Sequence, residues 1–157
     1  MSAEQSESTS GNVLPFLDSK PGQSGDEGLR RLFQRVAKDA SEAILVTEAQ
    51  LERPGPRILW VNEAFTTITG YDRDAVVGQT PRMLQGPDTE QVVLERLRHT
   101  LAAGERFEGE TVNYRADGTP YINHWSIAPI YGEDGEIRYW VSVQRDVTEK
   151  RRLQRGI

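Results

Sequence analysis

Three stretches decide the fold: Gly109-Glu-Thr-Val-Asn-Tyr-Arg115, Pro120-Tyr-Ile-Asn-His-Trp-Ser-Ile-Ala-Pro-Ile130 and Glu136-Ile-Arg-Tyr-Trp-Val-Ser-Val-Gln-Arg-Asp-Val147. Each is rich in β-branched and aromatic residues and is bounded by turn formers, the pattern of a strand. Asp117-Gly118 separates the first two and Gly132-Glu-Asp-Gly135 the last two. Such short connections join neighbouring strands as antiparallel hairpins.

Working upstream, Ala43-Ile-Leu-Val-Thr47 and Arg57-Ile-Leu-Trp-Val61 read as two further strands, parted by a Pro54-Gly55-Pro56 loop. Short helices are predicted between the two groups of strands. Asn62 can cap one through Phe65 and Ile68 that stops at Gly70, and Asp72 one over DRDAVV that stops at Gly78. A longer one starts near Asp88 or Thr89 and runs to Ala103. The expected class is α+β: a five-stranded antiparallel sheet with short helices on one face.

Flanking pieces complete the chain. Residues 1–28 are dominated by Ser, Gly, Glu, Gln and Pro and read as a flexible segment, with one apolar island at Val13–Leu17. Leu29, Leu32, Phe33 and Val36 recur at helical spacing, so 29–40 is predicted to be an amphipathic helix. The core then covers 41–146, and 147–157 begins an outgoing C-terminal helix.

Composition narrows the chemistry. Nineteen basic against twenty-four acidic residues give a formal charge of −5, which argues against direct nucleic-acid binding. There is no cysteine, so disulfides, thiol nucleophiles and iron–sulfur clusters are excluded. His99 and His124 are too few and too far apart for a metal motif. No apolar run approaches the ~20 residues of a membrane span, and the expectation is a cytoplasmic domain. No Ser-His-Asp set or phosphate loop is present, and Asp72/Asp74 and Glu133/Asp134 read as cap and turn pairs. No catalytic residue and no metal site are expected.

The sheet face turned toward the helices is the place to look for a site. With a three-residue turn centred on Gly118, Asn113 lies opposite Asn123; with a four-residue loop at 132–135, Asn123 lies opposite Gln144. Three carboxamides then line up across three strands, beside Trp125, Ile127, Ser142 and Tyr121. Such a row suits the edge of a planar heterocycle that alternates donors and acceptors. The plainer reading is that these amides are solvent-exposed on the outer face, and a two-residue turn at Asp117-Gly118 would break the row.

At these residues the chain resembles the PAS domains and, among them, the light-oxygen-voltage (LOV) flavin-binding subfamily. The resemblance runs from Ala43 to Thr148. It is carried by Trp60-Val-Asn-Glu-Ala-Phe65, Thr69-Gly-Tyr71, Gly78-Gln-Thr-Pro-Arg-Met-Leu-Gln-Gly86, Asn113-Tyr-Arg-Ala-Asp-Gly118 and Val143-Gln-Arg-Asp-Val-Thr148. It implies the PAS fold and a bound flavin mononucleotide (FMN), with FAD or riboflavin as variants. By the same resemblance Arg82 and Arg98 hold the phosphate and Gln85 approaches the ribityl chain. Asn113, Asn123 and Gln144 read the ring edge, while Leu84, Ile127 and Trp125 wall the pocket. The loop from Gln50 to Pro56 is about two residues longer than is usual in the family.

The family motif reads Gly-x-Asn-Cys-Arg-Phe-Leu-Gln, and Pro81 stands where it has the adduct-forming cysteine. The resemblance then leaves photoreduction of the flavin to a radical, with Gln144 relaying protonation at N5 to the flanking helices. Trp125 is the first choice of electron donor, with Tyr121, Tyr139 and Trp140 as alternatives. It further implies a homodimer formed through the flanking helices and the outer sheet face, with the downstream effector unknown. The competing reading is a non-flavin PAS module for sensing or dimerisation, favoured by Thr80 and Pro81.

Overall fold

A computed structural model describes residues 41–155. The segment 1–28 and the helix expected at 29–40 lie outside the described residues. In chain order the elements are β1 (Ala43–Glu48), β2 (Ile58–Val61), α1 (Glu63–Thr69), α2 (Arg73–Val76), a single 3₁₀ turn (Pro81–Leu84) and α3 (Gln91–Ala102), followed by β3 (Phe107–Tyr114), β4 (Pro120–Tyr131), β5 (Ile137–Asp146) and α4 (Thr148–Gln154). The five strands form one sheet in the order β2-β1-β5-β4-β3, each neighbour antiparallel. The expected α+β architecture is the observed one.

Local chemistry explains the entry to the helical segment. Asn62 is buried, and its Oδ1 accepts from the N–H groups of Phe65 (3.1 Å) and Ile44 (2.9 Å). Its Nδ2 donates to the Glu42 carbonyl at 3.0 Å. One side chain therefore caps α1 and ties it to β1. Gly70 ends α1 at φ 78°, a left-handed conformation that favours glycine. Phe65, Val76 and Leu84 then pack with Ala43, Leu45, Ile58 and Val61 into one core cluster.

The long helix starts at Gln91, later than Asp88 or Thr89. Thr89 is spent elsewhere: its hydroxyl donates to the Val112 carbonyl at 2.6 Å and accepts from Gly86 N–H at 2.9 Å. The Glu90 N–H donates to Thr111 Oγ1 at 2.8 Å. Bonds to β3 have replaced a local cap. Asp72 likewise sits before α2 without a side-chain capping bond.

The strand register differs from the expected one at both hairpins. Arg115 N–H donates to the Thr119 carbonyl at 2.9 Å, closing a three-residue turn over 116–118. Gly118, at φ 90°, is the last residue of that turn and not its centre. Asn113 therefore faces Tyr121, and Asn123 faces Thr111. At the second hairpin Gly132 N–H donates to the Glu136 carbonyl at 2.8 Å, which leaves a three-residue loop over 133–135. A bulge at Ile130/Tyr131 shifts the ladder once more, so Gln144 faces Trp125 and Asn123 faces Asp146. Each shift amounts to two residues, and the side chains keep their face.

Candidate functional site

Because both shifts preserve parity, the three carboxamides share the face turned toward the helices, but on a diagonal. Asn113 is level with Tyr121, Asn123 follows, and Gln144 is level with Trp125. Diagonal neighbours of this kind stand about 7–8 Å apart. All three amides are buried, which excludes the reading of solvent-exposed positions on the outer face.

Above them lies a cavity of about 790 Å³, between the sheet, the 3₁₀ turn, α3 and the loop joining β1 to β2. The residues expected to hold or wall a ligand line it, namely Pro81, Arg82, Leu84, Gln85, Arg98, Asn113, Asn123, Trp125, Ile127 and Gln144, whereas Tyr121, expected beside the amide row, does not. Trp140 also lines it, whereas Tyr139, one position along β5, belongs to the other face of the sheet. Trp125 leans on Phe107, ring centroids 5.1 Å apart, and together with Leu101 and Trp140 they form a second core cluster.

The polar atoms of the floor are only partly satisfied. Gln144 Nε2 donates to Ser142 Oγ at 3.2 Å. Asn123 Oδ1 is fully buried and has no hydrogen-bond partner. A carbonyl left so costs about 1–3 kcal/mol unless a donor reaches it. Tyr121 is buried next to Asn113, and desolvation pushes its phenol up to about 12, with the amide of Asn113 pulling the other way. The floor therefore offers uncharged donors and acceptors to a flat polar edge.

At the mouth the charge changes sign. Arg82 on the 3₁₀ turn, Arg98 on α3 and Arg53 on the β1–β2 loop all line the cavity. Arg82 Nη1 donates to the Gly55 carbonyl, and Nη2 donates to the Leu51 carbonyl at 3.3 Å. Burial lowers the pKa of Arg82, and the charges of Arg53 and Arg98 lower it further. Like charges gathered at one rim favour an anionic ligand group. A flat heterocycle carrying a phosphate therefore suits both ends of the cavity.

The PAS domain family model matches residues 41–149. The chain belongs to the PAS domain family. This PAS domain is 37% identical over 119 residues to blue-light-activated histidine kinase 1 of Erythrobacter litoralis, a match covering 76% of the chain and 32% of that relative. It is 32% identical over 141 residues to phototropin-2 of Oryza sativa subsp. japonica, covering 88% of the chain and 15% of the relative. A solved structure of an RNA-binding light-oxygen-voltage receptor matches with a TM-score of 0.71 at 28% identity, covering 84% of this chain and 37% of that one. The PAS domain thus spans a third or less of the length of these two curated relatives.

Sequence reasoning missed some of the lining. Gln91, Leu94, Leu97 and Leu101 of α3 also face the cavity of the PAS domain. Their spacing of three and four residues is an amphipathic stripe that marks them as one face. Arg53 was hidden in a proline-flanked loop that carries no periodicity. Among the described residues no group of His, Asp or Glu could hold a metal ion, and no helix is long and apolar enough to cross a membrane.

Proposed function

We propose that this PAS domain is a LOV-type sensor that binds FMN and reports blue light or redox state without a cysteinyl adduct. The observation that carries the reading is the buried Asn123 carbonyl without a partner, set between two further buried amides under a mouth of three arginines. Its blue-light relatives support the ligand class. A bound flavin supplies blue-light absorption and one-electron acceptor chemistry. Asn113 and Asn123 would hold its polar ring edge, Gln85 its side chain, and Arg82 and Arg98 its phosphate. Pro81 offers no nucleophile, and the chain has no cysteine to replace it. Trp125 and Trp140 are the two indoles on the cavity wall and would be the electron donors to a bound flavin.

Gln144 would relay the state of the ligand. A carboxamide can present either its N–H or its carbonyl, and so can follow a ring atom that changes from acceptor to donor. Its strand reaches α4 within four residues. There Asp146 Oδ1 accepts from Thr148 N–H (3.0 Å) and Oγ1–H (2.6 Å), and the Ile122 N–H donates to Thr148 Oγ1 at 2.8 Å. The start of α4 is thus fastened to the residue beside Asn123. We propose also that two copies pair through the flanking helices and outer sheet face; light scattering that finds only monomer at tens of micromolar would remove this.

The first test is colour. Purified protein given FMN should retain it through gel filtration and absorb blue light, and protein that stays colourless sinks the flavin reading. In that event the non-flavin module stands, a reading favoured by the bonds from Arg82 to loop carbonyls. In the loaded protein, Gln144→Leu should keep photoreduction and lose the light-dependent change in α4. Trp125→Phe should lower the photoreduction yield several-fold, read by transient absorption.

A further inference from the structure

The flavin reading leaves one cavity cation without a task. Arg53 sits in the loop over residues 49–57, which has more chain than two strands need to be joined. This loop is a built rim. Trp140 Nε1 donates to the Ala49 carbonyl at 3.2 Å, and the Arg57 N–H donates to Glu48 Oε2 at 3.0 Å. Arg82 adds two bonds, to the carbonyls of Leu51 and Gly55, which bracket Arg53 in sequence. Gly55 is closely surrounded: a Cβ there would stand 2.7 Å from the Gln50 carbonyl oxygen and 2.6 Å from Glu48 Oε2. The backbone that carries Arg53 therefore has one defined path past the cavity.

The donors are distributed unevenly among the three guanidiniums. Arg82 has committed N–H groups to the loop. Arg53 and Arg98 make no ion pair among the described residues, so their donor sets remain available to a ligand. Only Glu52 opposes the three cations among the residues lining the cavity. A phosphate dianion has three equivalent oxygens and takes charge-assisted bonds from several planar forks at once.

We infer that Arg53 is a phosphate-binding residue of this cavity, and that Arg82 acts partly as the clasp that holds the Arg53 loop in place. The inference rests on the flavin reading and assigns the recognition of its phosphate to a residue outside the motif that carries the resemblance. Arg53 then selects phosphorylated over unphosphorylated ligand.

The experiment titrates the full chain, freed of ligand, with FMN and with riboflavin, which lacks the phosphate. Arg53→Ala should weaken FMN about tenfold or more, leave riboflavin within about twofold, and flatten the salt dependence of FMN binding. Arg53→Lys should recover part of the loss. An unchanged FMN affinity overturns the proposal, and so does an equal loss for both flavins, which would mark Arg53 as a support of loop shape. Wild-type protein that binds riboflavin as tightly as FMN also overturns it, while leaving the flavin reading intact. Wild-type protein that binds neither removes both.

Discussion

Asn123 is 2% exposed and keeps its carbonyl without a partner, an arrangement that lowers the stability of the empty domain. Leucine has the same branched outline as asparagine and needs no hydrogen bond, and the cavity that Asn123 lines has room for its larger methyl groups. Asn123→Leu should therefore leave the flavin-free protein as stable as the parent, or more stable by about 1 kcal/mol. The same change removes an acceptor and a donor from the cavity floor, and FMN affinity should fall about tenfold or more. Thermal denaturation without ligand and titration with FMN separate the two effects. A variant less stable than its parent would mean that Asn123 serves the fold and not a ligand.

At the scale of elements, the junction of β5 and α4 is held by charge as well as by backbone. Burial opposes ionisation of Asp146, but Thr148 and Arg115 hold its carboxyl below the ordinary range. On the outer face Arg151 of α4 donates from Nε to Glu110 Oε1 at 3.0 Å. Glu110 also meets His124 Nδ1 at 3.0 Å, and His124 Nε2 lies 2.9 Å from Glu108. The Arg151 hydrogen bond, against a smaller cost of burial, brings Glu110 down from 4.5 to about 2. A depressed carboxylate contributes stability above its unfolded value, and that contribution is lost as pH falls through the folded one. The wild type should therefore melt above Glu110→Gln at neutral pH. The gap should shrink below about pH 4.5 and close near pH 2, where a protonated Glu110 resembles Gln. A gap that persisted unchanged at low pH would show that the carboxylate does not hold α4.

For the whole molecule, a ligand that fills the cavity must stabilise the fold by mass action. FMN at a hundred times its dissociation constant should add about 2.7 kcal/mol, read as a raised melting temperature. An unmoved melting temperature in excess FMN would count against the site. Strand and helix identities were legible in the sequence because β-branched runs, Asn62 and Gly70 announce themselves locally. The grouping of Arg82, Arg98 and the amides was legible through their family positions. The exact register was not, because it turns on where Gly118 falls within its turn and on a bulge at Ile130/Tyr131 that no residue marks. Arg53 escaped because the route of its loop is set by bonds to the distant Arg82 and Trp140. In the sheet β5, the last of the five strands in chain order, lies between β1 and β4. A nascent chain that has not yet released Ile137–Asp146 has two open strand edges, no Gln144 and no continuous floor. Loading of the flavin proposed above would therefore wait until translation has passed this strand, and the earlier ribosome-bound chain, with its edges open, is exposed to chaperones and to aggregation.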